Sequence, residues 1–331
     1  MAMRILNQLK LWHVGLQELR TKIEGKFSAF SLKKSVQFSA GKSWYNCMLA
    51  PVDTQKPLAV QAEVQKVYDL MFPKGNHTFV QTVFSWVTSC FAGKYRDYQP
   101  IDARYHDLEH TLQGTLCMAL LLHGRFKAKA QPAIDQRMFE LGIIAILLHD
   151  TGYLKERGDT EGTGAKYTLT HVDRSIEFAA ILMQDHGYSR EDIKAVQNMI
   201  RCTGINVKLD NIAFQNEAER ITGFALGTAD LLGQMAAADY VEKLPILYSE
   251  FAEAARFNDG KMKGGGTFTS AEDLMQKTPA FYEKYVRSKI ANEFLGLYRF
   301  LSEPFPDGPN WYIQHIERNI AGLKRKIGAA A

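Results

Sequence analysis

Apolar positions in this chain repeat with a helical period over most of its length. The segments 59–71, 78–91, 109–123, 134–148, 172–186, 190–202, 221–241, 271–300 and 311–326 read as helices separated by Pro, Gly or polar loops. No alternation of strands and helices runs through them, so the predicted fold class is all-α. A separate stripe stands near the N-terminus, where Ile5, Leu9, Trp12, Leu16, Leu19 and Ile23 recur at spacings of four and three until Gly25. This a/d stripe predicts an N-terminal amphipathic helix. It could dock on its own domain, pair with a second copy to make a homodimer, or lie on a membrane surface. Residues 27–56 lose the helical period, and the short alternation over 35–39 followed by Gly41 permits an irregular or hairpin segment. A boundary near Pro57 divides the chain into an extension, 1–56, and a helical domain, 57–331.

Composition narrows the class. Hydrophobic residues make up 46% and charged residues 23% of 331 positions, enough apolar material for a core that needs no staples. A formal net charge of +4, from 40 basic and 36 acidic residues, is too mild to argue for nucleic acid and is compatible with an anionic small molecule. Cys47, Cys90, Cys117 and Cys202 are widely spaced, without a C-x-x-C pair, which fits neither a disulfide framework nor a zinc ribbon. The longest apolar run, 143–148, falls far short of the ~20 residues that span a bilayer. Lys10, Glu18, Arg20, Lys22 and Glu24 interrupt any signal-peptide core. The expected setting is cytoplasmic, with no transmembrane segment.

Candidate chemistry begins with Tyr105-His106-Asp107-Leu108-Glu109-His110. If this segment enters a helix, His106 and His110 share a face, and one could hold a metal while the other points at whatever the metal holds. The spacing is that of H-E-x-x-H, but Asp107 stands where a zinc protease has its catalytic Glu, which argues against proteolysis. The apolar helix 134–148 then ends in His149-Asp150, with Gly152 just beyond. Neighbouring helical residues point about 100° apart, so an ion held by both must lie near the helix end. A carboxylate there can bridge two cations. His171 opens a later helix, and Asp230 sits inside the apolar segment 224–232, where uncompensated burial would be costly. Taken singly, a buried Asp is more often a satisfied hydrogen-bonding residue and a His on an apolar face is more often core. The succession His, His-Asp, Asp on successive helices is a stronger signal than any member. In the polar loop 152–164, Lys155 and Arg157 could hold phosphate, the plain alternative being solvated loop charges.

That succession resembles the HD-domain superfamily of metal-dependent phosphohydrolases, over residues 100–245, and implies an HD-domain helical bundle. Within the superfamily, residues 105–110 are similar to the Y-H-N-x-x-H signature of class I cyclic nucleotide phosphodiesterases, with Asp107 replacing the Asn. The resemblance implies His106 as general acid and His110, His149, Asp150 and Asp230 as ligands of a first metal. Asp150 would bridge to a second metal, and His171 would ligate it or stand just behind it. It also implies two divalent ions, zinc, manganese or iron at the first site and magnesium or manganese at the second. The implied partner is a small-molecule nucleotide or related phosphoester, cleaved by a metal-bridging hydroxide, with Asp150 and His106 as catalytic groups. Gln234 and Gln276 are candidates for gripping a nucleobase. Phe281 and Tyr282 could stack on one or simply fill the core.

Two other classes remain in view. An HD-type di-iron oxygenase would use His171 as a further ligand, although Cys202 stands near the place where a further His is expected. A non-catalytic HD module would use the helices for binding alone, with the N-terminal stripe as its best support.

Overall fold

Several of the helices begin at a residue whose side chain caps them. A computed structural model describes residues 52–204, 207–258 and 268–330 of the chain. The N-terminal stripe and the candidate hairpin at 35–41 lie outside the described residues. Among those described, ten α-helices account for most of the structure, and pairing of extended chain is confined to isolated bridges. The architecture is an all-α bundle.

Helix α1 (Pro57–Met71) opens with Pro in its first turn, where the missing N–H costs nothing, and α2 (Phe79–Phe91) packs beside it. Helices α3 (Leu108–Lys127) and α4 (Gln136–Leu148) start at Asp107 and Asp135, whose side chains accept from the backbone N–H of His110 and Met138. Next come α5 (His171–Asp185) and α6 (Arg190–Arg201), the latter capped by Ser189. Helix α7 (Glu217–Met235) is capped by Asn216 and is followed by α8 (Tyr240–Phe257). Helices α9 (Ala271–Phe281), capped by Ser270, and α10 (Trp311–Ala330) complete the set. No described helix is long and apolar enough to cross a membrane.

Helices α3 and α7 form the central pair of the bundle. They approach so closely that a Cβ on Gly233 would lie 2.7 Å from the backbone of Gln113. A larger residue at 233 would push the helices apart, and with them the site residues that each carries. Around the pair lies a continuous apolar core that includes Leu112, Met118, Ile143, Ile146, Leu226 and Leu232.

Two predicted helices differ from the structure. The segment 221–241 is two helices, broken after Met235, and α8 continues to Phe257 through a stretch assigned no helix from sequence. The break is tertiary in origin: the amide of Asn319 on α10 donates to the carbonyls of Met235 and Ala237 at 2.9 and 2.8 Å. Pro245 inside α8 reads locally as a stop, yet the helix runs on through it, forgoing the one backbone donor that proline lacks. The segment 271–300 is α-helical only to Phe281. Beyond Pro279, which cannot donate to the ladder, wider π-helical turns follow at Tyr282–Val286 and Lys289–Glu293. Gly296, with φ of 68°, takes the left-handed conformation that ends them.

Candidate metal centre

Four elements of the bundle bring side chains to one point. His110 lies in the first turn of α3, fixed by the Asp107 cap at 2.9 Å. His149 and Asp150 follow the last residue of α4, where the backbone leaves helical geometry (Asp150 φ −109°, ψ 8°). This departure lets both neighbouring side chains face the same side. Asp230 comes from the centre of α7, and His171 is the first residue of α5.

His110, His149 and Asp150, at 5%, 1% and 2% exposure, each offer a donor atom, and these three atoms lie within 4.8 Å of one another. Nε2 of His110 is 3.0 Å from Oδ2 of Asp150 and 3.3 Å from Oδ1 of Asp230. Nε2 of His149 is 3.2 Å from the same Asp150 oxygen and 3.4 Å from the same Asp230 oxygen. Despite these separations, His149 Nε2 and Asp150 Oδ2 have no hydrogen-bond partner of acceptable geometry. The atoms converge on a common centre without pairing with each other, as ligands of a cation do. Leaving them buried and unpaired would be costly, and a metal ion would satisfy them.

Second contacts set the tautomers. Nδ1 of His149 lies 2.7 Å from the carbonyl of Ile146, and Nδ1 of His171 lies 2.7 Å from that of Thr168. A carbonyl only accepts, so Nδ1 of both rings carries a proton, and it is the Nε2 lone pair of the neutral ring that faces a ligand. Nε2 of His171 lies 3.8 Å from Oδ1 of Asp150, the oxygen turned away from the first cluster. The buried His110–His149–Asp150 group could therefore hold a metal ion, with Asp230 adjoining it and His171 at the far side of Asp150.

The protonation balance points the same way. Burial lowers the pKa of His110, but contact with Asp150 and Asp230 outweighs burial and raises it to about 9. His149 is raised well above the usual imidazole value, against burial, by the same two carboxylates. Burial opposes ionisation of Asp150 and Asp230, yet the facing imidazoles hold both below the ordinary carboxylate range. The cluster thus demands positive charge, which either protons or a metal can supply. His171 differs: burial pushes it down, favouring the neutral ring that ligates.

His106 sits outside helix α3, one residue before the Asp107 cap, so the shared helical face expected for His106 and His110 does not form. The two rings still meet, with centroids 5.3 Å apart. Nδ1 of His106 contacts Oε2 of Glu250 at 2.6 Å. Oε1 of Glu250 accepts from the backbone N–H of Arg104 and Tyr105. Burial raises the Glu250 pKa, but His106 and these N–H groups outweigh it and lower it overall. Tyr153 lies between His106 and His171, its ring stacked on each at 4.4 and 4.7 Å.

Gly152 explains the turn after Asp150. A Cβ there would lie 2.0 Å from the carbonyl oxygen of His171, so the chain reaches α5 only without a side chain. The turn is tied to α5 by Ser175, which accepts from the Gly152 N–H, and by Arg174, which donates to the carbonyls of Gly152 and Leu154.

A cavity of about 510 Å³ opens from the cluster, and His106, His110, Asp150, His171 and Asp230 all line it. Lys155 and Arg157 do not. Nζ of Lys155 is committed to Asp102 at 2.8 Å and to the carbonyl of Gly162 at 2.6 Å, and the side chain is buried. Arg157 is exposed, and its backbone N–H donates to the carbonyl of Asp97. The phosphate-holding role expected of these two residues therefore has no counterpart at the cavity. Gln234 lines the cavity, but its Oε1 accepts from Tyr105 and its Nε2 donates to the carbonyl and carboxylate of Asp230. Gln276 is exposed, away from the lining. Phe281 lines the far wall, whereas Tyr282 is buried core. Cys202 faces Gly223 of α7, where an added Cβ would meet its Sγ at 2.9 Å, and it is not part of the lining.

Two residues at the site escaped the sequence reading. Glu250 carried a signal, because it shares a helical face with Leu247 and Ala254, the kind of apolar setting that made Asp230 conspicuous. Tyr153 carried none beyond following His149-Asp150 closely.

An all-helical protein with a buried His-His-Asp cluster of metal-binding make-up is the class that this fold and site define. The chain belongs to the Npun_R2479-like family, whose model matches residues 59–301. Comparison with curated proteins gives no match.

Proposed function

We propose that this protein is a metal-dependent phosphohydrolase of HD type, cleaving a phosphoester at the His110–His149–Asp150–Asp230 cluster. The observation that carries the reading is the convergence of two imidazole nitrogens and two carboxylates beside an independently held imidazole, His106. The four converging residues would hold the first ion, zinc, manganese or iron. Asp150 Oδ1 and His171 Nε2 would hold a second, magnesium or manganese. Divalent metal bound here would neutralise phosphate charge and lower the pKa of attacking water toward neutrality.

The chain's own groups do the rest. Glu250, pinned by two backbone N–H groups, holds Nδ1 of His106 and fixes the ring's orientation. His106 lines the cavity beside the cluster and delivers a proton to the leaving oxygen. Tyr153, stacked on both His106 and His171, keeps these rings in register across the cavity. Asp107 serves as the α3 cap that sets His110. In the test, His106→Ala retains its metal and loses turnover of bis(p-nitrophenyl) phosphate by about 10²–10⁴-fold. Unchanged turnover removes His106 from the mechanism.

A di-iron oxygenase is the second reading, favoured by His171 at 3.8 Å from Asp150 and by the largely apolar cavity beyond the cluster. Stoichiometric iron together with substrate-dependent oxygen uptake would place it ahead of hydrolysis.

A further inference from the structure

The cavity lining combines two kinds of residue. Beside His106, His110, Asp150, His171 and Asp230 it includes Leu231 and Met235 of α7, Leu244, Leu247 and Phe251 of α8, and Phe281 of α9. No Lys or Arg occurs among the described residues that line it. Several polar groups in the lining are already engaged. The hydroxyls of Thr168, Thr203 and Thr278 donate to the carbonyls of Ala165, Ile200 and Leu274, and that of Tyr248 donates to Thr269. The Gln234 amide is bonded at both ends.

These facts bear on the substrate. A nucleobase brings several donors and acceptors, and a site that buries them without partners loses affinity. A second or third phosphate brings charge for which the described lining offers no Lys or Arg. An aliphatic group needs only apolar surface, and about 510 Å³ falls within the roughly 300–1,000 Å³ typical of small-molecule pockets.

Resting on the phosphoester reading of the cluster, we infer that the substrate is a phosphoester of a hydrophobic aliphatic alcohol, its phosphate at the metal centre and its chain along α7 and α8. The chain-binding part depends on walls that the cluster does not share. Leu247 is the residue to alter, because it is half-buried and a polar replacement there does not empty the core.

The test measures binding by calorimetry to the metal-loaded full chain, so that it does not depend on turnover. The probes are methyl-, butyl-, hexyl- and octylphosphonate, with adenosine monophosphate and octan-1-ol as comparators. Affinity is expected to rise about fourfold per methylene, the equivalent of about 0.8 kcal/mol, and Leu247→Gln flattens that slope. Chain-length-independent affinity, or adenosine monophosphate binding more tightly than octylphosphonate, overturns the inference. If octanol binds as tightly as octylphosphonate, the aliphatic annex stands while the phosphoester reading of the cluster fails.

Discussion

Nδ1 of His106 lies 2.6 Å from Oε2 of Glu250, across 144 residues of sequence, and the other oxygen of that carboxylate accepts from two consecutive backbone N–H groups. The carboxylate is thereby held from three directions and the imidazole inherits its orientation. With His106 as the proposed proton donor, Glu250 would act through it as a positioning residue. Glu250→Gln keeps the shape but removes the carboxylate that holds Nδ1 of His106, and it is expected to lower kcat about 10–100-fold, less than loss of His106 itself. KM and metal content should be little changed. Steady-state kinetics with metal analysis checks this, and an unaltered kcat would detach Glu250 from the chemistry.

The same contact has a stability consequence in acid. The Glu250 pKa is lowered in the folded protein, so its contribution is fully present above the unfolded carboxylate value of about 4.3 and is lost as pH falls through the folded value. Denaturant titrations at several pH values should show wild type more stable than Glu250→Gln near neutrality, with the gap closing on acidification below about pH 4. A gap independent of pH would mean that packing, and not charge, connects α8 to residues 104–106.

Metal uptake should depend on pH with a defined sign. Without metal, His110 titrates at about 9 and His149 is also raised, so both rings carry protons at neutral pH. A ligating imidazole must be neutral, so binding releases these protons and affinity rises with pH up to about 9. The slope is up to about tenfold per pH unit for each proton displaced. Competition titration with a chromogenic chelator between pH 6 and 9 measures it, and affinity that falls with rising pH would contradict this ligand set.

Gly152→Ala places a methyl group against the carbonyl of His171, a contact of 2.0 Å that the backbone must relieve. The variant should be less stable by about 1–3 kcal/mol, the usual cost of overpacking. Because the strain acts on the first turn of α5, an ion at the proposed Asp150–His171 site should be lost before one at the His110–His149–Asp150 cluster. Denaturant unfolding with metal stoichiometry separates the two effects.

Much of this site was legible from residue type and order. His110 stood out by its four-residue spacing from His106, His149 and Asp150 because they end an apolar helix where burial without a partner is costly, and Asp230 because it interrupts an apolar stretch. Their convergence is set by the close α3–α7 approach at Gly233, a packing fact that helix periodicity alone does not contain. Helix α8 was missed because Pro245 reads as a terminator and because the break before Tyr240 is made by Asn319, more than 80 residues away. With α8 unread, Glu250 could not be placed opposite His106. Lys155 shows the converse: a cation in a Gly-rich loop suggests phosphate binding, but its Nζ is taken by Asp102 and Gly162, partners invisible to local sequence.

Removing the metal should destabilise the fold, since an ion that binds only the native cluster adds RT ln(1 + [M]/Kd), about 2.7 kcal/mol at a hundredfold excess over Kd. Thermal melts with and without chelator test this, and identical melts would argue against a metal held at the His110–His149–Asp150 cluster.

The most direct test of the central claim is metal content and bis(p-nitrophenyl) phosphate hydrolysis measured together, on the wild-type chain and on His149→Ala/Asp150→Ala. Bound divalent metal and metal-dependent turnover are expected in the wild type, with both lost in the double variant. Wild-type protein that takes up no metal after reconstitution, or hydrolysis that survives in the double variant, would contradict that claim.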